Sequence, residues 1–253
     1  MDLTVRSAER PGQDYVLLKM GAEGALPPIQ PGQFAELKVE HSPTTFLRRP
    51  ISVNFVDEEK AEVWFLVHEI GEGTRALGQL KPGQMLNVVM PLGNGFTMPV
   101  VSSDRVLLVG GGVGTAPLLY FGKKLQETGI CPDFLLGGRT VHHIMQLDQF
   151  RQYGRVHVST EDGSMGEQGF VTQHSVLRES VFDRIYTCGP KPMMMAVARY
   201  ASERQIPCEV SLENMMACGV GACLCCVENT VEGHVCVCKE GPVFNAKRLL
   251  WQI

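Results

Sequence analysis

The chain has 253 residues, 44% of them hydrophobic and 20% charged, and its 23 basic and 27 acidic side chains give a net charge of −4. Single hydrophobic cores stop growing at roughly 250 to 300 residues, so this length favours more than one domain. The net charge is weakly acidic and no long run of one sign occurs, so the sequence lacks the electrostatic footprint of a nucleic-acid binder. Length and charge therefore favour a multidomain globular protein and exclude that class.

Membrane insertion and export are also disfavoured. No stretch approaches the ~20 apolar residues of a membrane span, and the start, MDLTVRSAER, is polar. The nine cysteines are an odd number and are mostly clustered near the end. Without an export signal, this usage indicates metal or redox chemistry in a reducing compartment rather than a disulfide framework. We expect a cytoplasmic protein that binds neither membrane nor nucleic acid.

Residues 1–99 consist of short runs rich in Val, Ile and Phe, broken by Gly and Pro, such as YVLLKM, RRPISVNFV, AEVWFLVHEI and LNVVMP. This punctuation, without a long helical period, predicts an antiparallel barrel or sandwich. An RPIS motif at residues 49–52 lies on a predicted strand, and a GEGT motif at 71–74 precedes a short predicted helix. Each alone is an ordinary strand arginine or turn, but together they suggest one pyrophosphate site.

Residues 100–210 alternate apolar strands with helical stretches, which predicts a parallel α/β domain. The loop GGGVGTAP at residues 110–117 follows the first strand, where such a domain presents amides to a dinucleotide phosphate. Pro117 stands where the third glycine or alanine of the dinucleotide fingerprint belongs, so the fingerprint as usually written fails. A later loop, TCGPKPM at 187–193, follows another strand, so both loops are expected to face one crevice, although CGP also suits a plain strand-to-helix turn.

The sequence Thr160-Glu161-Asp162-Gly163 at a predicted strand end bears on the choice of nucleotide. Carboxylates near the ribose would repel a 2′-phosphate, which favours NAD over NADP. Arg139, at the end of another predicted strand, argues the other way.

Residues 211–253 carry four spaced cysteines: Cys218, Cys223 after four residues, Cys226 after two more, and Cys238 after a further eleven. Three thiolates on one tight loop with a distal fourth are how a plant-type [2Fe-2S] cluster is held. The rival is a structural zinc site, but zinc ribbons usually show two CxxC pairs.

Other cysteines surround this set. Cys225 and Cys236 are interpreted as bystanders, although a slipped ligand set that includes them would keep the thiols and lose only the spacing. Cys131, Cys188 and Cys208 lie among apolar runs and are interpreted as small buried residues.

The order of the motifs RPIS, GEGT, PLGNGF, GGGVGTAP, YTCGPKPM, SLENMMACGVGACLCC and CKEGPVF resembles the electron-transfer subunits of heteromeric, NAD-dependent dihydroorotate dehydrogenases, within the wider ferredoxin reductase family. The resemblance runs from about residue 1 to residue 244 and is specific at the cysteine-rich end. It implies a multidomain β plus α/β fold: an N-terminal FAD-binding antiparallel β-barrel (1–99), a central NAD-binding parallel α/β domain (100–210) and a small [2Fe-2S] domain (211–253).

The resemblance also implies the site residues, and no catalytic acid or base is among them. For FAD they are Arg49, Pro50, Ile51, Ser52, Leu66, Val67, His68, Gly73 and Thr74. For NAD they are Gly112, Gly114, Thr115, Cys188, Gly189 and Pro190. For the cluster they are Cys218, Cys223, Cys226 and Cys238, the last fixed by the GPVF that follows it.

Three cofactor signals in one chain suggest an electron path. Nicotinamide exchanges electrons in pairs and a cluster exchanges them singly, so a flavin is needed between them. We hypothesise that an FMN-containing catalytic subunit, in a heterotetramer of two copies of each chain, oxidises dihydroorotate in pyrimidine biosynthesis and sends electrons through this chain to NAD. The alternatives are a subunit of an NAD(P)H-dependent ferredoxin or sulfide oxidoreductase, and a zinc-stapled interaction module with vestigial nucleotide loops.

Overall fold

The computed structural model describes residues 1–40, 42, 44–101 and 103–251. It contains two seven-stranded sheets and a two-stranded hairpin. Within those ranges, no helix is long and apolar enough to cross a membrane.

The strands, in chain order, are β1 (Asp2–Gly12), β2 (Tyr15–Gly21), β3 (Phe34–Leu37), β4 (Arg49–Ser52), β5 (Phe55–Asp57), β6 (Glu62–His68), β7 (Met85–Leu92), β8 (Val106–Gly111), β9 (Asp133–Gly138), β10 (Arg155–Thr160), β11 (Glu167–Gln168), β12 (Arg184–Cys188), β13 (Cys208–Ser211), β14 (Val227–Thr230), β15 (Gly233–Cys236) and β16 (Val243–Asn245). The helices are α1 (Glu72–Leu77), α2 (Ala116–Glu127), α3 (Leu147–Tyr153), α4 (Val176–Glu179), α5 (Lys191–Glu203) and α6 (Val237–Glu240). Short 3₁₀ turns occupy Gly112–Thr115, Val141–His143, Val171–Gln173 and Ala246–Arg248.

The first sheet is antiparallel, with strand order β4-β3-β7-β1-β2-β6-β5. Its edge strands β4 and β5 follow each other in the chain, and β4 also lies against β6, so the sheet curls around an apolar interior. Leu18, Phe65 and Val88 are among the side chains buried there. The sequence missed β1 because its second half is largely exposed and carries charges and a proline, which hide the alternation typical of a strand.

The second sheet has the order β11-β10-β9-β8-β12-β13-β16. All of its pairs are parallel except β13 with β16. All six residues of β8 are buried, as expected of a central strand covered on both faces. The strand order reverses at β8, and in parallel α/β sheets such a reversal opens a crevice at the carboxyl ends of the strands. Together the two sheets confirm the predicted antiparallel β and parallel α/β architecture.

Pro117 lies in the first turn of α2, directly after the glycine loop. In that turn the backbone N–H has no partner within the helix, so a proline is well tolerated there. The residue that spoils the dinucleotide fingerprint is therefore compatible with a helix that starts at the loop.

The final segment connects both sheets. After the β14–β15 hairpin and α6, β16 adds to the edge of the second sheet beside β13. The side-chain amide of Asn94, just after β7, donates to the carbonyls of Lys239 and Glu240, and its backbone N–H donates to the carbonyl of Gly241 at 2.6 Å. The first sheet thus holds the end of α6.

The domain limits 1–99, 100–210 and 211–253 stay predictions, and residues 252–253 lie outside the described ranges.

Replacing Asn94 with Ala removes two side-chain hydrogen bonds to the end of α6. We expect backbone hydrogen exchange in residues 237–245 to become roughly fivefold faster, because an exposed hydrogen bond contributes about 1 kcal/mol or less. Asn87→Ala is the matched control, since the Asn87 side chain bonds to Asp2 and Arg48 instead. Exchange that is equally fast in both variants would show that Asn94 does not hold this segment.

Candidate cofactor and electron-transfer site

A cleft of about 900 Å³ lies where the carboxyl edge of the parallel sheet meets the antiparallel sheet. Its walls include ten of the residues that the sequence assigns to FAD or NAD. From the first sheet and α1 these are Pro50, Ile51, Ser52, Leu66, His68 and Thr74, and from the α/β domain they are Gly112, Gly114, Gly189 and Pro190. A cleft of this size with mostly apolar walls suits planar ring systems such as a flavin and a nicotinamide.

The other five assigned residues do not line the cleft. Val67 is fully buried and points into the first sheet's interior, because side chains alternate along β6 and its neighbours Leu66 and His68 face the cleft. Thr115 and Cys188 are buried under the two loops. The Arg49 guanidinium donates to the carbonyls of Leu47 and Arg48, and it packs against Gly73, where a Cβ would lie 2.7 Å from Arg49 Nε.

The two loops of the α/β domain touch each other at Gly114. A Cβ built on Gly114 would lie 2.4 Å from Gly189 Cα and 2.6 Å from the carbonyl oxygen of Cys188. Any side chain at Gly114 would therefore push the loops apart. Their contact brings two sets of backbone amides to one place, as their positions at the carboxyl ends of β8 and β12 lead one to expect.

Glu213 is a cleft residue that the sequence analysis did not assign. Cys188 Sγ donates to its carboxylate at 3.9 Å. Glu213 is exposed on the cleft wall, and desolvation by the surrounding protein raises the pKa of its carboxyl group. Burial likewise raises the pKa of Cys188 well above its ordinary value, so Cys188 stays a thiol and is not an activated nucleophile.

Glu161 and Arg139 both line the cleft wall as well. The carboxylate of the neighbouring Asp162 already accepts two hydrogen bonds, from the backbone N–H and the hydroxyl of Ser164. Of the two carboxylates that the sequence placed near the ribose, Glu161 is thus the one that faces the cleft.

The four spaced cysteines form two pairs. Cys218 lies against Cys223, and Cys226 lies against Cys238, whose backbone N–H donates to Cys226 Sγ at 3.4 Å. Each iron ion of a [2Fe-2S] cluster takes two cysteine ligands, so this pairing suits such a cluster. Throughout the described ranges, no three His, Cys, Asp or Glu side chains form a group that could hold a single metal ion.

Backbone amides surround the thiol of Cys218. The N–H groups of Val220, Cys223 and Ala222 donate to its sulfur at 3.5, 3.4 and 3.3 Å. Gly219 and Gly221, at φ +68° and +80°, make this bend possible. The amides lower the pKa of Cys218 to about 6, so this loop stabilises the thiolate that a metal requires.

Cys238 and Cys236 differ in what faces their sulfur atoms. The N–H of Gly221 donates to Cys238 Sγ at 3.1 Å, whereas Cys236 Sγ donates to the carbonyl of Gly221 at 3.8 Å. A facing amide favours a thiolate and a facing carbonyl favours a thiol, although Cys236 also lies close to Cys226. Burial, with the nearby Cys226 thiol, raises the pKa of Cys238 to about 12, so a bound cation is what would deprotonate it. Cys225 is exposed.

Beneath the cysteine loop lies Glu36, which the sequence analysis also missed. It is 2% exposed and packs against Gly219, and neither of its carboxylate oxygens has a hydrogen-bond partner among the described residues. Burial raises its pKa to about 7 despite the nearby Arg48. Buried polar side chains in a protein core are normally hydrogen-bonded. The unpaired carboxyl group of Glu36 therefore distinguishes the contact between β3 and the cysteine loop from the rest of the core.

Comparison with known families agrees with this geometry. The profile of the iron-sulfur cluster binding domain of dihydroorotate dehydrogenase B matches residues 213–250, and the profile of the oxidoreductase NAD-binding domain matches residues 108–199. The electron transfer subunit of dihydroorotate dehydrogenase B (NAD(+)) from Geobacillus kaustophilus is 41% identical over 221 residues, which cover 86% of this chain and 85% of that one. Its counterpart from Caldanaerobacter subterraneus is 42% identical over 227 residues, 87% of each chain.

Solved structures share this fold. The NADH-dependent reduced ferredoxin-NADP oxidoreductase, studied for flavin-based electron bifurcation, gives a TM-score of 0.88 at 29% identity and covers 98% of this chain and 90% of its own. The flavohem-like FAD/NAD binding domain of a nitric oxide dioxygenase from Vibrio cholerae gives 0.70 at 18% identity, with coverage of 83% and 97%. The second likeness concerns the fold alone.

A parallel sheet that presents two nucleotide loops to a β-sheet cleft, followed by paired cysteines, defines an NAD-linked oxidoreductase with an iron-sulfur domain. Since relatives more than 40% identical match it over most of their length, the chain belongs to the family of dihydroorotate dehydrogenase B electron transfer subunits.

The ligand set can be tested by single Cys→Ser changes. We expect loss of each of Cys218, Cys223, Cys226 and Cys238 to remove most bound iron and sulfide and the visible absorption of the cluster. Cys225→Ser and Cys236→Ser serve as matched controls and should keep iron at the parent level, as measured by metal analysis of anaerobically purified protein. Iron loss in Cys236→Ser with retention in Cys238→Ser would reverse the assignment of the fourth ligand.

Proposed function

We propose that this chain carries electrons from a dihydroorotate-oxidising catalytic subunit to NAD⁺, as part of pyrimidine biosynthesis, and that it holds FAD and a [2Fe-2S] cluster for this purpose. One observation supports the proposal above all: the cleft and the cysteine segment share a wall. Pro242, four residues after Cys238, lines the same cleft as Ser52 and Gly112. The nucleotide loops, the β4 strand and the cysteine segment therefore meet at one place.

This arrangement suits a junction between one-electron and two-electron chemistry. When bound, an iron-sulfur cluster supplies single-electron transfer and a flavin links it to the two-electron hydride chemistry of nicotinamide. The chain's own task is to hold each group in position. We assign Pro50, Ile51 and Ser52 of β4 to one face of the flavin, and the backbone of the two touching loops to NAD.

The relatives are electron transfer subunits by name, which implies a catalytic subunit for this chain as well. That the partner contains FMN, and that two copies of each chain form a heterotetramer, are inferred from the family resemblance. A cytoplasmic location is likewise inferred, because nine cysteines that are all free suit a reducing compartment.

A second candidate is the flavin and cluster subunit of an NAD(P)H-dependent ferredoxin oxidoreductase. The TM-score of 0.88 to the ferredoxin-NADP oxidoreductase structure supports it. The higher identity to the dihydroorotate dehydrogenase subunits, 41% against 29%, favours the first candidate. The two differ in their partner, so partner binding decides between them.

The deciding experiment is coexpression of this chain with the dihydroorotate dehydrogenase catalytic chain of the same organism. We expect the two to copurify and to reduce NAD⁺ when dihydroorotate is added, whereas the catalytic chain alone should not. The Cys226→Ser complex is a further control, because NAD⁺ reduction should then stop while NADH still reduces a dye at this chain. If the two chains do not copurify, and this chain instead catalyses electron transfer between NADPH and ferredoxin, the second candidate is favoured.

Glu161 provides a test of nucleotide choice. If its carboxylate repels the 2′-phosphate of NADP, then Glu161→Gln should lower the ratio of kcat/KM for NADH to that for NADPH by about tenfold, which equals about 1.4 kcal/mol. Dye reduction by the purified chain measures both values. Asp162→Asn is the matched control, because the Asp162 carboxylate is occupied by Ser164. An unchanged ratio in Glu161→Gln contradicts this role.

A further inference from the structure

A buried pair of amide side chains joins the two sheets' domains. Asn54 Nδ2 donates to Gln146 Oε1 at 3.0 Å, and Gln146 Nε2 donates back to Asn54 Oδ1 at 2.9 Å. The residues are 92 positions apart in sequence, and they are 0% and 8% exposed. Two reciprocal hydrogen bonds away from water restrict both the distance and the orientation of the groups that they connect.

Asn54 connects the two sides of the cleft. It follows the cleft residue Ser52 by two positions, so it continues the β4 segment. Its Nδ2 also donates to the carbonyl of Ala116 at 3.0 Å, and its own carbonyl accepts from the N–H of Tyr120 at 3.2 Å. Ala116 is the first residue of α2, directly after the glycine loop, and it lines the cleft. One residue thus ties the β4 segment to the start of α2.

Gln146 adopts an unfavourable backbone conformation at its end of this pair. Its φ is +56°, in the left-handed region that residues other than glycine usually avoid. Its backbone carbonyl accepts from the N–H of Phe150 at the start of α3. The Gln146 side chain reaches Asn54 from this strained backbone conformation. Such strain persists only where the surrounding structure enforces it, and it is concentrated at functional sites.

We propose that the Asn54–Gln146 amide pair is a positioning device that sets the distance between the β4 segment and the glycine loop, and hence between the flavin and nicotinamide rings. This inference rests on the proposed function. Neither side chain belongs to the cleft wall, so both act through the elements that they fix. Hydride transfer depends steeply on this distance, since a misplacement of about 1 Å can reduce a rate about 100-fold.

The chain offers a matched control. Glu58 accepts hydrogen bonds from Lys123 and Lys124 of α2, and from the Tyr120 hydroxyl at 3.2 Å, so it also ties the first sheet's domain to that helix. The two lysines lie further along α2 from the glycine loop, the carboxylate side chain is 49% exposed, and a glutamine keeps an oxygen that can accept from the Tyr120 hydroxyl. Glu58→Gln should therefore weaken the contact between the domains without moving the loop.

The test reaction is anaerobic transfer of a hydride, two electrons and one proton, from NADH to the bound FAD, followed by stopped-flow absorption. We expect Gln146→Ala and Asn54→Ala to lower the limiting rate of flavin reduction about 10-fold to 100-fold. The apparent Kd for NADH and the FAD content should stay within twofold of the parent, and the double variant should be no slower than the slower single variant. The swapped pair Asn54→Gln with Gln146→Asn should recover part of the rate.

A second readout needs neither cofactor nor turnover. The backbone N–H of Tyr120, which donates to Asn54, should exchange with solvent at least about tenfold faster in Gln146→Ala than in the parent, measured without NADH. Glu58→Gln should leave both this exchange and the limiting rate within twofold of the parent.

Several outcomes would overturn the inference. They are a parent-like rate in Gln146→Ala, an equal rate loss in Glu58→Gln, or a change confined to the Kd for NADH. If Asn54→Ala does not retain FAD, Gln146→Asn, which shortens only one partner, replaces it under the same criteria. A parent protein whose flavin NADH does not reduce would overturn the proposed function itself, and that result is distinct from variants that match an active parent.

Discussion

The constraint on which the rest of this structure depends is the close approach of the parallel sheet's carboxyl edge to strands β4 and β6. Because the strand order reverses at β8, the loops after β8 and β12 reach the same point and touch at Gly114 and Gly189. The curled antiparallel sheet supplies the opposite wall. A cleft formed in this way presents backbone amides on one side and apolar strand residues on the other, which is the requirement for placing a nicotinamide against a flavin.

The cysteine segment depends on the same frame. It is anchored to the first sheet at Asn94 and to the second sheet through β16, so its position relative to the cleft is set from two sides. Cys238 needs a cation to be deprotonated, because burial raises its pKa, whereas backbone amides lower the pKa of Cys218 and favour its thiolate. Metal binding and correct placement of the segment are therefore coupled, and loss of either affects electron transfer to the cleft.

Much of this was accessible from the sequence, because local patterns carry it. Apolar runs predict the strands, and the spacing of Cys218, Cys223 and Cys226 predicts the cluster loop. The residues that sequence reasoning missed act through contacts between distant positions. Asn54 and Gln146 look like ordinary polar residues until folding brings them together, and Glu36 and Glu213 are distinguished only by the parts of the chain that surround them. Long-range pairing leaves no periodic signal in one sequence, so these roles require the structure.

The central claim is that one chain holds a flavin within reach of both NAD and an iron-sulfur cluster. The most direct measurement is an anaerobic titration of the purified chain, without its partner, first with NADH and then with dithionite, followed by visible absorption and electron paramagnetic resonance. We expect flavin and iron-sulfur absorption in the starting protein, bleaching of the flavin band by NADH, and a paramagnetic signal from the reduced cluster by the end of the titration. A protein without these bands, or a flavin that dithionite bleaches and NADH does not, would contradict the account.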